Sequence, residues 1–162
     1  MHPRVQQALL AGGATYQVRK HADCPQPIRS PQDFAACLGY DLARITKTLF
    51  CRSKARDQYA LVVASMSVKI DFPAVARLLA CPRVEVADKA DLKSRLGYPP
   101  QGVSPLGVSD YSIFVDEGLM QFPTILVGGG TTGIEIELAP DTLVALCAGQ
   151  VKPLSQGAGN DQ

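Results

Sequence analysis

The segment Gly128-Gly-Gly-Thr-Thr-Gly133 constrains this chain more than any other, because it stands between two segments of β character. Thr124 to Val127 precedes it, and Ile134-Glu-Ile-Glu-Leu138 follows with apolar residues at alternate positions. That period belongs to a strand with one buried face. The glycines satisfy GxGxxG, but a dinucleotide fingerprint needs a helix after its last glycine, and here a strand follows. A Walker loop is excluded as well, since Ile134 occupies the place of the required lysine. A glycine-rich turn between two strands remains, with two readings: a hairpin that uses glycine for positive φ, or a backbone cradle whose N–H groups meet an oxyanion or phosphate. Spacing favours the plain hairpin. Three consecutive glycines exceed what a two-residue hairpin needs, which keeps the cradle open.

The rest of the chain supplies both helices and strands. Arg4 to Ala11 reads as a short helix ended by Gly12-Gly13, and Thr15 to Lys20 as a strand. A loop through Pro25 and Pro27 leads to a helix opened by Ser30-Pro31 and stopped at Gly39. Ile45 to Cys51 and Tyr59 to Ser65 form an antiparallel hairpin around the basic stretch Arg52-Ser-Lys-Ala-Arg56, which reads as a solvated tip. Asp71 caps a helix that runs to Ala80, Val84 to Val86 is a short strand, and Asp88 to Arg95 a helical turn or two. Tyr98 to Gly107, rich in proline and glycine, is a shaped loop. Strands at Ser112 to Val115, Pro123 to Val127 and Ile134 to Leu138 precede a closing helix from Pro140 to Cys147. This sum is an α+β fold in one domain, residues 1–154, with 155–162 as a frayed polar tail.

Lys47 breaks the pattern of its strand, because it lies in phase with Ile45, Leu49 and Cys51 on what should be the apolar face. A lysine there either snorkels at the strand end or is held in a cleft where its ammonium meets a substrate group. Lys69 is a weaker case, at the transition into a helix. Gly102-Val-Ser-Pro-Leu-Gly107 superficially suggests a nucleophile elbow, but GxSxG would need glycine where Leu106 stands. The chain has two histidines, His2 in a terminus expected to be mobile and His21 after the first strand, so a Ser-His-Asp enzyme would depend on His21 alone.

Sixteen basic against fifteen acidic residues give a net charge of +1, which is no signature of a strong nucleic-acid binder. Any RNA contact must be local or helped by a partner. Apolar stretches such as Tyr59 to Ala64 are far shorter than the roughly 20 residues that cross a bilayer, and Met1 to Ala14 has no secretory pattern, so a soluble cytoplasmic protein is expected. Five scattered cysteines without CxxC argue against a disulfide framework or a zinc site and for free thiols. No HExxH, paired histidines or cysteine cluster supports a metal, and no cofactor is expected.

Three motifs occur in one order: Ile45-Thr-Lys-Thr-Leu49; Gly97-Tyr98 followed by Gly102-Val-Ser-Pro-Leu-Gly107; and Thr124-Ile-Leu-Val-Gly-Gly-Gly-Thr-Thr-Gly-Ile-Glu-Ile-Glu-Leu138, with the weaker Val84-Glu-Val-Ala-Asp88 between the first two. Together they resemble the YbaK/prolyl-tRNA synthetase-associated (INS-like) aminoacyl-tRNA editing domain family, over residues 4–148. The resemblance implies a compact α+β domain with a central mixed, largely antiparallel sheet or barrel flanked by helices. It also implies trans-editing of tRNA, chiefly tRNA for proline, mischarged with cysteine, alanine or a similarly small amino acid. It makes Lys47 the leading site residue, Gly102 to Gly107 the substrate-side loop, and Gly128 to Gly130 the second glycine loop. Where YbaK-type cysteinyl-tRNA deacylases tend to read Ser-Gly-Gly-Lys-Arg-Gly-Leu-Asp, this chain has Gly128-Gly-Gly-Thr-Thr-Gly-Ile-Glu135, which retains a carboxylate and loses two cations. Gln101 stands where a glycine is usual.

On that resemblance, N–H groups around Gly129 and Gly130 stabilise the oxyanion of ester hydrolysis, and Lys47 positions the terminal nucleotide or polarises the carbonyl. Val103, Ser104 and Pro105 form a wall that excludes larger side chains. Glu135 orients the α-amino group or ribose, although its alternation turns it from the face of Ile134 and Ile136. Gly102, Gly107, Gly128 and His21 complete the expected substrate site. Aminoacyl-tRNA is the implied partner, delivered by prolyl-tRNA synthetase or an elongation factor, with no DNA or membrane involved. Two rivals stand: a module that binds aminoacyl-tRNA or a synthetase without hydrolysis, and a hydrolase of small esters or amides.

Overall fold

The computed structural model describes residues 1–156. In chain order the elements are α1 (Pro3–Ala11), β1 (Gln17–Lys20), α2 (Pro31–Leu38), β2 (Thr46–Ser53), β3 (Tyr59–Ser65), α3 (Phe72–Leu78) and β4 (Val84–Val86). There follow α4 (Lys89–Asp91, continued as a π turn over Leu92–Leu96), β5 (Ser112–Asp116), β6 (Ile125–Gly128), β7 (Ile134–Leu138), α5 (Pro140–Cys147) and β8 (Gln150–Lys152). Each early helix has a local reason to start. Ser30 Oγ accepts from the Asp33 N–H at 3.2 Å at the head of α2, and Asp71 Oδ1 accepts from the Ala74 N–H at 3.1 Å at the head of α3. At α1 the cap is His2, whose Nδ1 accepts from the Arg4 N–H at 3.1 Å, with proline in the first turn. His2 is therefore fixed, and the expectation of a mobile N-terminus is corrected.

The strands form two sheets. One has the order β4-β2-β3-β5-β8, antiparallel through β4, β2 and β3 and parallel from β3 to β5 to β8; the other is antiparallel with the order β1-β7-β6. They touch at a parallel bridge between Ile45 and Leu126, reinforced by Thr46 Oγ1 donating to the Leu126 carbonyl at 2.7 Å. The α+β, largely antiparallel expectation is met. Its barrel alternative is not, because the strands make two sheets with free edges rather than one closed ring. The main core lies between the sheets and α1, α4 and α5, around Leu9, Phe50, Leu61, Leu106, Val127 and Ile136. Burying a side chain of this size contributes roughly 1.5–3 kcal/mol. A second cluster, including Val62, Val75 and Leu154, seats α3 on the opposite face of the larger sheet. A third, Phe34, Ala35, Ile45 and Leu126, seats α2 where the sheets meet.

Three other expectations change. Arg52 lies within β2 rather than at an exposed tip: it is 7% exposed and its guanidinium meets Glu85, Asp88 and Asp91. Cys24 and Cys37 form a disulfide, while Cys51, Cys81 and Cys147 are free, as expected of all five. Helix α2 turns back over the loop that precedes it, which brings together two cysteines 13 positions apart. Ser155 bridges Ile70 and the Gln156 N–H donates to the Lys69 carbonyl at 2.9 Å, so the expected tail is held at its start; its remainder, 157–162, lies outside the described residues.

Candidate functional site

A cleft of about 440 Å³ opens where the two sheets part. Pairing explains its position. From Cys51 to Ser53, β2 has a neighbour on both sides, β3 and β4; from Thr46 to Leu49 it is paired with β3 alone, because β6 meets it at the Ile45–Leu126 bridge and otherwise pairs with β7. The open side of this half-strand is the cleft floor. The walls come from the loop and helix start at Ile28 to Pro31, from Pro100, Gln101 and Val103, and from the turn between β6 and β7.

Lys47 lies on the floor, partly buried, with Nζ donating to the Val68 carbonyl at 2.6 Å. Burial lowers its pKa from the ordinary lysine value, and among the described residues it has no carboxylate partner. Its ammonium is anchored inside the cleft rather than snorkelling to solvent, and Arg29 also lines the cleft. Opposite stands Glu135, the first of two acidic residues on the outer face of β7. Alternation does turn it from Ile136, which is in the core, and the face it turns to is the cleft side. Glu135 Oε2 lies 2.7 Å from His21 Nε2. Burial pushes the Glu135 carboxyl up, and the His21 contact opposes that shift. His21 is held there by its own N–H, which donates to the Gly133 carbonyl at 2.9 Å, and by its ring, 4.3 Å from that of Phe34.

Beneath this pair, Glu137 is nearly buried and accepts from Arg19 Nε at 2.7 Å, the Tyr40 hydroxyl at 2.8 Å and Thr124 Oγ1 at 2.5 Å. Its own burial pushes the carboxyl up, but these donors outweigh that and hold it below the ordinary value. The network ties β1, β7 and the residues after α2 into a rigid support for His21 and Glu135.

The two glycine loops dock on each other. A Cβ on Gly102 would stand 2.7 Å from the Thr131 carbonyl carbon and 2.8 Å from its nitrogen, and one on Gly128 would overlap the Val103 carbonyl oxygen. Both positions need glycine for backbone approach rather than for positive φ. Gly128 and Val103 line the cleft. Gly129 and Gly130 do not: the Gly129 N–H donates to the Ile134 carbonyl at 2.9 Å, and Gly130 packs on His2 and Tyr98. Gly129 and Gly130 therefore do not form the cradle expected of them. Thr132 and Gly133 line the cleft, and their N–H groups have no backbone acceptor among the described residues. Ser104 and Pro105 are buried behind Val103, with Ser104 Oγ accepting from the Leu106 N–H at 3.1 Å. Gly107, at φ +77°, packs on the Arg4 backbone away from the cleft. Of the expected wall only Val103 reaches the cavity.

Residues not singled out from the sequence complete the lining, notably Arg29, Thr48 and Met66, and Gln101, noted only as a departure from glycine, joins them. Thr48 sits inside the Ile45–Leu49 motif, overshadowed by its charged neighbour. Among the described residues no group of three His, Cys, Asp or Glu is placed to hold a metal ion, and no helix is long and apolar enough to cross a membrane.

The sequence that builds this cleft is matched, over residues 25–146, by the model of the aminoacyl-tRNA editing domain. The chain belongs to that family. A protein of Enterococcus faecalis named as a Cys-tRNA(Pro)/Cys-tRNA(Cys) deacylase, EbsC, is 30% identical over 122 residues, covering 75% of this chain and 74% of that one. The proline–tRNA ligase of Thermosipho melanesiensis is 26% identical over 102 residues, 63% of this chain but 18% of the ligase. A crystal structure described as a trans-editing enzyme for prolyl tRNA synthetase superposes with a TM-score of 0.83 at 26% identity, covering 97% of this chain and 99% of the other. The span matched to the editing domain contains Lys47, both glycine loops and Glu135, whereas His21 precedes it.

Proposed function

We propose that this editing domain acts in trans as an aminoacyl-tRNA deacylase. It hydrolyses the ester of a small amino acid, cysteine, alanine or similar, mischarged on tRNA for proline, and it works in the cytoplasm. The observation that carries the reading is the convergence of Lys47, the His21–Glu135 pair and the turn at Thr132 and Gly133 on one cleft at the open edge of β2.

In the reaction water attacks the ester carbonyl, a C–O bond forms to the water oxygen, and the tetrahedral oxyanion collapses with loss of the ribose oxygen. The ribose oxygen takes up the proton that the attacking water gives up, leaving free amino acid and deacylated tRNA. The N–H groups of Thr132 and Gly133 stabilise the oxyanion, as preorganised donors in a partly water-excluded site do. Lys47 has one donor engaged by Val68 and two left for the carbonyl oxygen or the terminal phosphate. Its ammonium acts as a donor rather than a base. Glu135 anchors the substrate's α-ammonium through the carboxylate oxygen that His21 leaves free, with His21 fixing its orientation. Arg29, exposed at the mouth, meets phosphates of the tRNA end. Val103, Pro100 and Met66 bound the space left for the amino-acid side chain. Such a wall rejects larger side chains and discriminates poorly among smaller ones.

The test is release of labelled amino acid from proline tRNA charged with alanine, cysteine, serine, 2-aminobutyrate or proline, beside the corresponding free amino-acid esters. The reading expects release of the small residues, proline retained, and tRNA required. Binding of charged tRNA without release would make the chain a binding module, and equal cleavage of free esters a small-ester hydrolase; either would overturn the proposal.

A further inference from the structure

Strand β2 presents Thr46 and Thr48 on one face, two residues apart. Their hydroxyls have different fates. Thr46 Oγ1 reaches across the sheet junction and donates to the Leu126 carbonyl at 2.7 Å. Thr48 lies one step farther along, beyond the bridge to β6; its Oγ1 is buried and has no hydrogen-bond partner among the described residues. Burying a hydroxyl without a partner is unfavourable and uncommon, and valine has the same shape without that cost. Thr48 also lines the cleft, between Lys47 and Leu49 on the half of the strand whose outer edge is open.

We propose that the Thr48 hydroxyl, covered in the free protein, turns toward the cleft by rotation about its Cα–Cβ bond when substrate binds, and is there a substrate-positioning group of the deacylase site, hydrogen-bonded to the aminoacyl-ribose end of the bound tRNA. The proposal rests on the deacylase reading and deepens it. A hydroxyl can donate and accept at once, so it suits the ester end, where a carbonyl oxygen and a ribose hydroxyl lie side by side. It is not a nucleophile: no base is hydrogen-bonded to its oxygen among the described residues, and an unactivated threonine hydroxyl attacks esters poorly. The orphaned hydroxyl is thus a feature that weakens the free protein and serves the complex.

The experiment compares Thr48→Val and Thr48→Ser with the wild type in thermal unfolding and in steady-state deacylation of the best substrate from the tRNA panel. Valine keeps the shape and removes the hydroxyl; serine keeps the hydroxyl. Thr48→Val is expected to melt at or above the wild-type temperature while kcat/KM falls about threefold to tenfold, mainly through KM, as loss of one neutral hydrogen bond implies. Thr48→Ser should recover most of that loss. A Thr48→Val protein with wild-type kcat/KM overturns the proposal, and so does one that melts lower, since the hydroxyl would then have an internal partner. Complete loss of release in the valine variant would point to a nucleophile and overturn the positioning role. Failure of the deacylase reading shows separately, as a wild-type protein that releases nothing from any charged tRNA; the Thr48 role would fall with it.

Discussion

Replacing Gly102 with alanine should damage stability and catalysis together, because the three atoms nearest the added methyl all belong to the Thr131 backbone. The Cβ would lie 2.7, 2.8 and 2.9 Å from the carbonyl carbon, nitrogen and oxygen of Thr131, where ordinary contact begins near 3.4 Å. No side-chain rotamer can relieve this, so the two glycine loops must separate by about 0.7 Å. Overpacking of this kind costs about 1–3 kcal/mol. For a chain of this size a cost of about 2 kcal/mol lowers Tm by roughly 4–8 °C. The displaced residue adjoins Thr132 and Gly133, the proposed oxyanion donors. Since a misplacement of about 1 Å can cost roughly a hundredfold in rate, a shift of about 0.7 Å predicts a loss of roughly tenfold to thirtyfold in kcat. Gly133→Ala is the contrast: it has φ +80° but open space, its nearest neighbour being His21 Cβ at 3.9 Å. It should cost about 1–2 kcal/mol through backbone strain without separating the loops. The assay is thermal unfolding beside single-turnover deacylation. A Gly102→Ala protein with wild-type Tm and rate would refute the docking of the loops.

Other consequences follow from the surroundings of the cleft. Glu137→Gln removes the charge facing Arg19 and Arg44 and should cost about 2–4 kcal/mol in urea unfolding, less than a fully buried pair because Arg19 is 32% exposed; no change would mean the network is not a support. Cys37→Ser, or reduction of the wild type, opens the Cys24–Cys37 loop and should cost about 3 kcal/mol, with the two treatments not additive in unfolding midpoints. Because burial raises the Glu135 pKa, the folded protein holds that proton more tightly than the unfolded chain, so the group's contribution to stability is full below the ordinary carboxylate value and is lost as pH rises through the raised one. Urea midpoints from about pH 4 to 7 should therefore carry a declining component that Glu135→Gln removes, and identical slopes in the two proteins would contradict it.

Much of this was legible where local chemistry decides. Ser30-Pro31 and Asp71 start helices as their caps require, and Lys47 betrays the cleft because a cation in phase with Ile45 and Cys51 conflicts with a buried strand face. Features set by which segments meet were not legible. The Gly129 N–H is lost to the cradle because Ile134 pairs across the turn, and Ser104 is buried because the loop folds inward. Arg52 reads as a surface charge until three acidic residues from β4 and the start of α4 close over it. His2 becomes a cap only when the N-terminus lies against the second glycine loop, where its N–H donates to the Gly129 carbonyl at 2.9 Å. The cysteine pair likewise depends on the direction taken by α2.

The most direct test of the whole account is single-turnover release of alanine and cysteine from mischarged proline tRNA by the wild type and by Lys47→Met, a variant that keeps the stem and removes the ammonium. The account predicts rapid release by the wild type and a loss of about a hundredfold or more in a variant that unfolds at the wild-type temperature. Equal release by the two proteins would remove Lys47 from the site and contradict the mechanism built on this cleft.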